Sequence, residues 1–167
     1  ISLDKSTIRI EVGDKLTLKA TVKPSDATNK TVSWKSASSS IASVSSSGVV
    51  TGKKLGTTII TVTTADGGFK KTCKVEVVKK VTGVELDRAA ATIYLGKTLT
   101  LNAEVNPSGA SNPAVTFSSS DKSIATVSSS GVVTPVKPGE ATITVTTVDG
   151  SFTDTCKVTV KRAVTGI

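Results

Sequence analysis

Leu16-Thr17-Leu18-Lys19-Ala20-Thr21-Val22 decides the fold: its apolar residues take every second position, with Thr and Lys between them. A period of two marks a strand with one buried and one solvated face, whereas a helix repeats its apolar residues every three or four. The alternation is written again as Leu99-Thr100-Leu101-Asn102-Ala103-Glu104-Val105. These runs lie 83 residues apart, and so do Leu3 and Leu86, Gly13 and Gly96, Trp34 and Phe117, Gly48 and Gly131, and Cys73 and Cys156. One module has therefore been written twice without a gap.

Working outward, Thr31-Val32-Ser33-Trp34-Lys35 alternates with Val32 and Trp34 inward. Ile41-Ala42-Ser43-Val44 and Val49-Val50 make short strands around the turn at residues 45–48. Ile60 and Val62 point inward, like Ile143 and Val145, and the last strand carries Cys73, Val75 and Val77 on its inner face. Val12-Gly13-Asp14, Pro24-Ser25-Asp26, Ser47-Gly48, Leu55-Gly56 and Asp66-Gly67-Gly68 separate the runs as turns. Around seven short strands at this spacing predict an all-β protein of two tandem immunoglobulin-like β-sandwich domains. The copies are read as 1–82 and 83–165, with a third beginning at 166–167.

Aromatic residues make up 3% of the 167 residues, so Val, Ile, Leu and Ala must fill the cores. A module of roughly 80 residues buries a workable core with little stability to spare. No apolar run approaches the roughly 20 residues of a membrane-spanning helix. Val81-Thr82-Gly83-Val84 recurs as Val164-Thr165-Gly166-Ile167, which suggests an array cut as its third copy opens. Val75, Val77, Val81 and Val84 run through the joint with one Gly and no Gly/Ser-rich spacer, so a short, partly apolar connection is expected.

Val81-Thr82-Gly83-Val84-x-Leu86, Leu95-Gly96 and Leu99-x-Leu101-x-Ala103-x-Val105-x-Pro107 together resemble the bacterial immunoglobulin-like group 2 domain. Val32-x-Trp34-x-Ser36, Ile41-Ala42-x-Val44, Ser47-Gly48-Val49-Val50-Thr51 and Ile60-Thr61-Val62-Thr63 complete that pattern. The resemblance covers nearly the whole chain twice and implies a two-sheet sandwich with no catalytic residues. It further implies a setting in bacterial surface proteins, adhesins, cell-wall-associated enzymes or phage virions. Phe117 in place of the Trp departs from the pattern and alters core filling more than fold.

Chemistry-bearing residues are few. Cys73 and Cys156 occupy the same inward position, one per module, and read as buried thiols acting as small apolar residues. No His exists, which excludes a Cys–His nucleophile and a mixed Cys/His zinc site. Asp4, Asp14, Asp26, Asp66 and Asp149 are scattered singly. Calcium wants six to eight oxygens, so it could assemble only at the joint from Asp4- or Asp87-type positions. The Ser runs at 36–40, 45–47 and 128–130 lack a base. An intramolecular isopeptide would need a buried Lys, and the strand lysines alternate outward. No cofactor and no enzymatic activity are expected.

Charge distinguishes the copies. Residues 1–83 hold 14 Lys/Arg against 6 Asp/Glu, a net +8, while residues 84–167 hold 7 and 7. The excess includes Lys53, Lys54, Lys70, Lys71, Lys74, Lys79 and Lys80. Their counterparts include Val136, Thr153, Asp154 and Ala163, so the fold does not require them. They form a candidate site for teichoic acid, acidic polysaccharide or another envelope polymer, against a reading as a solubilising face that blunts strand edges. Nucleic acid is disfavoured because no aromatic or Arg is interleaved with them. The expected job is a structural spacer or display module with neighbouring repeats as partners, at the bacterial surface or, alternatively, on a phage virion. The rival is a binding module acting through the basic first copy.

Overall fold

The computed structural model describes residues 1–164, so the expected third-copy start at 166–167 lies outside the described residues. The chain divides into two compact units, Ile1–Lys79 and Lys80–Ile167, and no described residue is helical. Each unit is an immunoglobulin-like sandwich.

The first unit contains β1 (Ser2–Leu3), β2 (Thr7–Glu11), β3 (Lys15–Thr17), β4 (Ala20–Thr21), β5 (Val32–Ser36), β6 (Ala42–Val44), β7 (Val49–Gly52), β8 (Gly56–Thr64) and β9 (Lys70–Val78). One layer is the four-stranded sheet β2-β9-β8-β5, and the other holds β3-β7-β6 with the pair β1-β4. The long β8–β9 hairpin is antiparallel, placing Ile60 opposite Cys73 and Thr58 opposite Val75. The N-terminal run serves both layers. Ser2 and Leu3 pair antiparallel with Thr21 and Ala20, and then Thr7–Glu11 lies parallel to Lys74–Val78 in the opposite sheet. Ile8, Ile10, Ile60, Cys73 and Val75 from one layer meet Leu18, Ala42 and Val50 from the other, all buried.

The second unit repeats this with β10 (Gly83–Leu86), β11 (Ala90–Tyr94), β12 (Leu99–Thr100), β13 (Ala103–Asn106), β14 (Val115–Ser119), β15 (Ala125–Val127), β16 (Val132–Pro135), β17 (Gly139–Thr147) and β18 (Thr153–Lys161). Its sheets are β11-β18-β17-β14 and β12-β16-β15 with β10-β13. Ile93, Leu101, Val133, Ile143, Cys156 and Val158 fill its core.

Two readings need correction. Leu16–Val22 is not one strand: β3 pairs with β7 and β4 with β1, and Leu18-Lys19 breaks the run. The freed backbone groups still find partners, as burial demands. Leu18 N–H donates to Gly48 O at 2.9 Å, and Lys19 N–H donates to the Asp4 carboxylate at 2.8 Å. Such breaks raise the count from about seven strands to nine short ones per unit. Nor do all strand lysines alternate outward. Lys71 shares the inward register of Cys73 and Val75, opposite Val62, but sits at the rim where it is exposed.

Candidate functional site

Backbone alternation divides β9 between the core and solvent. Lys70, Thr72, Lys74 and Glu76 take the outer face of the four-stranded sheet, and the register adds residues from its neighbours. Lys35 on β5 lies in one row with Thr61 and Thr72. Thr7, Lys74 and Ile59 form the next row, and Arg9, Glu76 and Thr57 a third. Lys74 meets Glu76 at 2.6 Å, and that ammonium holds the Glu76 carboxyl below its ordinary pKa. The face is thus a threonine lattice bearing Arg9, Lys35, Lys70 and Lys74, with Glu76 among them and Glu11 at the end of β2 as its acids.

The other predicted lysines lie elsewhere. Lys53 and Lys54 follow β7, where both backbone N–H groups donate to Ile41 O. Lys79 follows β9 and shares a shallow depression with Glu11, Val12, Asp14 and Leu55. At roughly 3.3 Å per residue, β9 holds Lys70 about 26 Å from Val78. The first-unit lysines therefore divide between opposite ends of one strand, and Lys80 opens the second unit. Arg9 and Lys35 escaped the sequence reading because only strand pairing brings them beside Lys70 and Lys74. On the equivalent face of the second unit stand Thr92, Ser118, Thr153 and Lys157, the last bridged to Glu140 at 2.9 Å.

Asp4 and Asp87, the acids considered for calcium at the joint, have structural partners. Asp4 accepts from the Lys5 ammonium at 2.7 Å as well as from Lys19 N–H, and these bonds lower its pKa. Asp87 does the same with Arg88 at 3.0 Å and the Asn102 amide at 3.1 Å, and its pKa is also lowered. Among the described residues no three His, Cys, Asp or Glu side chains gather as a metal-binding group. Cys73 and Cys156 are free and fully buried, and burial pushes both thiols above their ordinary pKa. The Ser runs serve turns: Ser45 Oγ accepts the Val49 N–H at 3.1 Å, and Ser128 Oγ the Val132 N–H at 3.1 Å.

A model of the family described as the bacterial Ig-like domain (group 2) matches residues 1–75 and again 80–158. The chain belongs to this family. These tandem group 2 Ig-like domains are 38% identical over 165 residues to an Ig-like virion protein of Serratia phage KSP90, covering 96% of this chain and 64% of that protein. They are also 38% identical over 119 residues to an alpha-L-arabinofuranosidase of Bifidobacterium longum subsp. longum, covering 68% of this chain and 11% of the enzyme. Among solved structures, domains 1–6 of the surface layer protein SbsC align with a TM-score of 0.47 at 20% identity, over 90% of this chain and 23% of that one. The group 2 Ig-like pair thus spans just under two thirds of the phage relative and about a tenth of the enzyme.

Proposed function

We propose that this pair of group 2 Ig-like domains is a non-catalytic spacer and display segment of a protein exposed on a virion or a bacterial surface. What carries the reading is the double sandwich itself: two closed, apolar cores in the same register, whose polar residues are occupied in strand breaks and turns. The phage relative, matched over 96% of this chain, supports the virion setting. The glycosidase relative fits as well, since the match covers 11% of that enzyme and so describes a small part of a large protein. The role is to hold a terminal binding or catalytic domain at a distance. Small-angle scattering on this chain and on a version with its sequence doubled tests it. The maximum dimension should grow in proportion to the number of units. A doubled chain that collapses to a compact particle would rule the spacer role out.

The basic face favours a second reading, contact with an acidic envelope polymer. Retention on immobilised teichoic acid should weaken with salt, as expected of screened surface charge. It should be lost in the variant R9S/K35S/K70S/K74S and kept in K53S/K54S/K79S/K80S. Equal retention of both variants would remove the sheet face as the contact.

A further inference from the structure

The two units share one hairpin end, and the second unit shows what that end takes. In the second unit the β17–β18 hairpin is shaped by the buried Thr147, whose hydroxyl donates to Asp149 O at 2.8 Å and accepts the Phe152 N–H at 2.9 Å. The Asp149 carboxylate at its tip accepts the Val81 N–H at 3.3 Å. Beside it, the Thr82 N–H donates to Asn106 O at 2.7 Å. The lead-in to β10 is thus fastened at two consecutive residues, and Val81 is only 5% exposed.

The first unit has the same receptor. Thr64 donates to Asp66 O at 2.7 Å and accepts the Phe69 N–H at 2.9 Å, so the hairpin presents Asp66 as Asp149 is presented. The carbonyl equivalent to that of Asn106 belongs to Lys23. Ile1 is the counterpart of Val84, so residues equivalent to Val81 and Thr82 would stand three and two positions before it, with a counterpart of Gly83 between. Correspondingly, Phe69 is 65% exposed where Phe152 is 38%, and Ala27 is half-buried where Ala110 is buried.

We propose that the end of the first unit built by Asp66, Phe69, Ala27 and the Lys23 carbonyl is a docking site for an extended Val-Thr-Gly segment leading through Ile1 into β1. Asp66 takes the Val N–H, the Lys23 carbonyl takes the Thr N–H, and the Val side chain is buried there. The occupant is a covalent lead-in rather than a second molecule, because its counterpart in the second unit is continuous with the strand it introduces. The inference rests on reading the chain as part of a repeat array.

The test adds Lys-Lys-Val-Thr-Gly before Ile1 of the full chain and follows Trp34 fluorescence, which reports the first unit alone because Trp34 is the sole Trp. The thermal midpoint should rise by about 4 °C or more, the shift that one such fastening gives a domain of this size. Asp66→Ala should abolish the rise in the extended chain and leave the unextended midpoint unchanged. Replacing the added Val by Asp should abolish it as well. An unchanged midpoint on extension, or an equal fall from Asp66→Ala in both backgrounds, would overturn the proposal. So would a midpoint of the unextended chain that climbs with concentration, which would assign this end to a second copy. The scattering experiment addresses the spacer role separately, since a pair can extend whether or not this end is filled.

Discussion

Gly48 and Gly131 show how closely the two layers approach at the turn beside the broken strand. Each has a positive φ of 80°, a region where L side chains are strained. A Cβ on Gly48 would stand 2.6 Å from Leu18 O and 2.9 Å from the Trp34 ring. Gly48→Ala should therefore cost the first unit roughly 2 to 3 kcal/mol, combining backbone strain with a displaced hydrogen bond. Gly83 is the control, with no atom within 4 Å of its would-be Cβ. Gly83→Ala should stay within about 0.5 kcal/mol of the parent in urea melts. The thiols supply a second residue-scale test. Cys73 and Cys156 should resist alkylation in the native state and react fully in denaturant. Because burial raises their folded-state pKa, the stability they contribute is complete below the unfolded value of about 8.5 and is lost as pH rises toward the folded one. The fall in stability between about pH 8 and about pH 10 should thus be smaller in a Cys73→Ala/Cys156→Ala variant.

At the scale of elements, the copies use different chemistry at one rim position. Asp154 accepts the Leu86 N–H at 2.7 Å and fastens β10 to the sandwich, where the first unit has Lys71. Asp154→Ala should destabilise the second unit by roughly 1 to 2 kcal/mol, the cost of a charge-assisted bond. Lys71→Asp should raise the Trp34-monitored midpoint by giving the Leu3 N–H an acceptor. Strand existence was legible because alternation needs only sequence spacing, and Ile60, Val62, Cys73 and Val75 all fall where it puts them. The break at Leu18-Lys19 was not, since residues on both sides keep their alternation while their backbone groups change partners. The basic face was half legible for a related reason. Lys70 and Lys74 share a strand, but Lys35 and Arg9 join them only through pairings distant in sequence. Lys53, Lys54 and Lys79 were grouped with them by charge alone, and strand length holds them apart.

At the scale of the whole molecule, the parallel alignment of β2 with β9, repeated by β11 with β18, has a consequence for what the chain can withstand. β2 is reached from the front of its unit and β9 leaves by the rear. Tension applied between the chain termini therefore drags these adjacent strands along each other, loading their shared bonds in shear. Five registered residue pairs resist together in each unit, instead of opening one after another like a zip. Single-molecule pulling should show each unit rupturing in one abrupt step, with the released length of a whole unit. Moving the attachment points to the two ends of the β8–β9 hairpin should lower the rupture force sharply, because the antiparallel hairpin bonds would then open one after another. Each unit is thus most resistant along the line that joins its own two termini, the direction in which the proposed spacer role would load it.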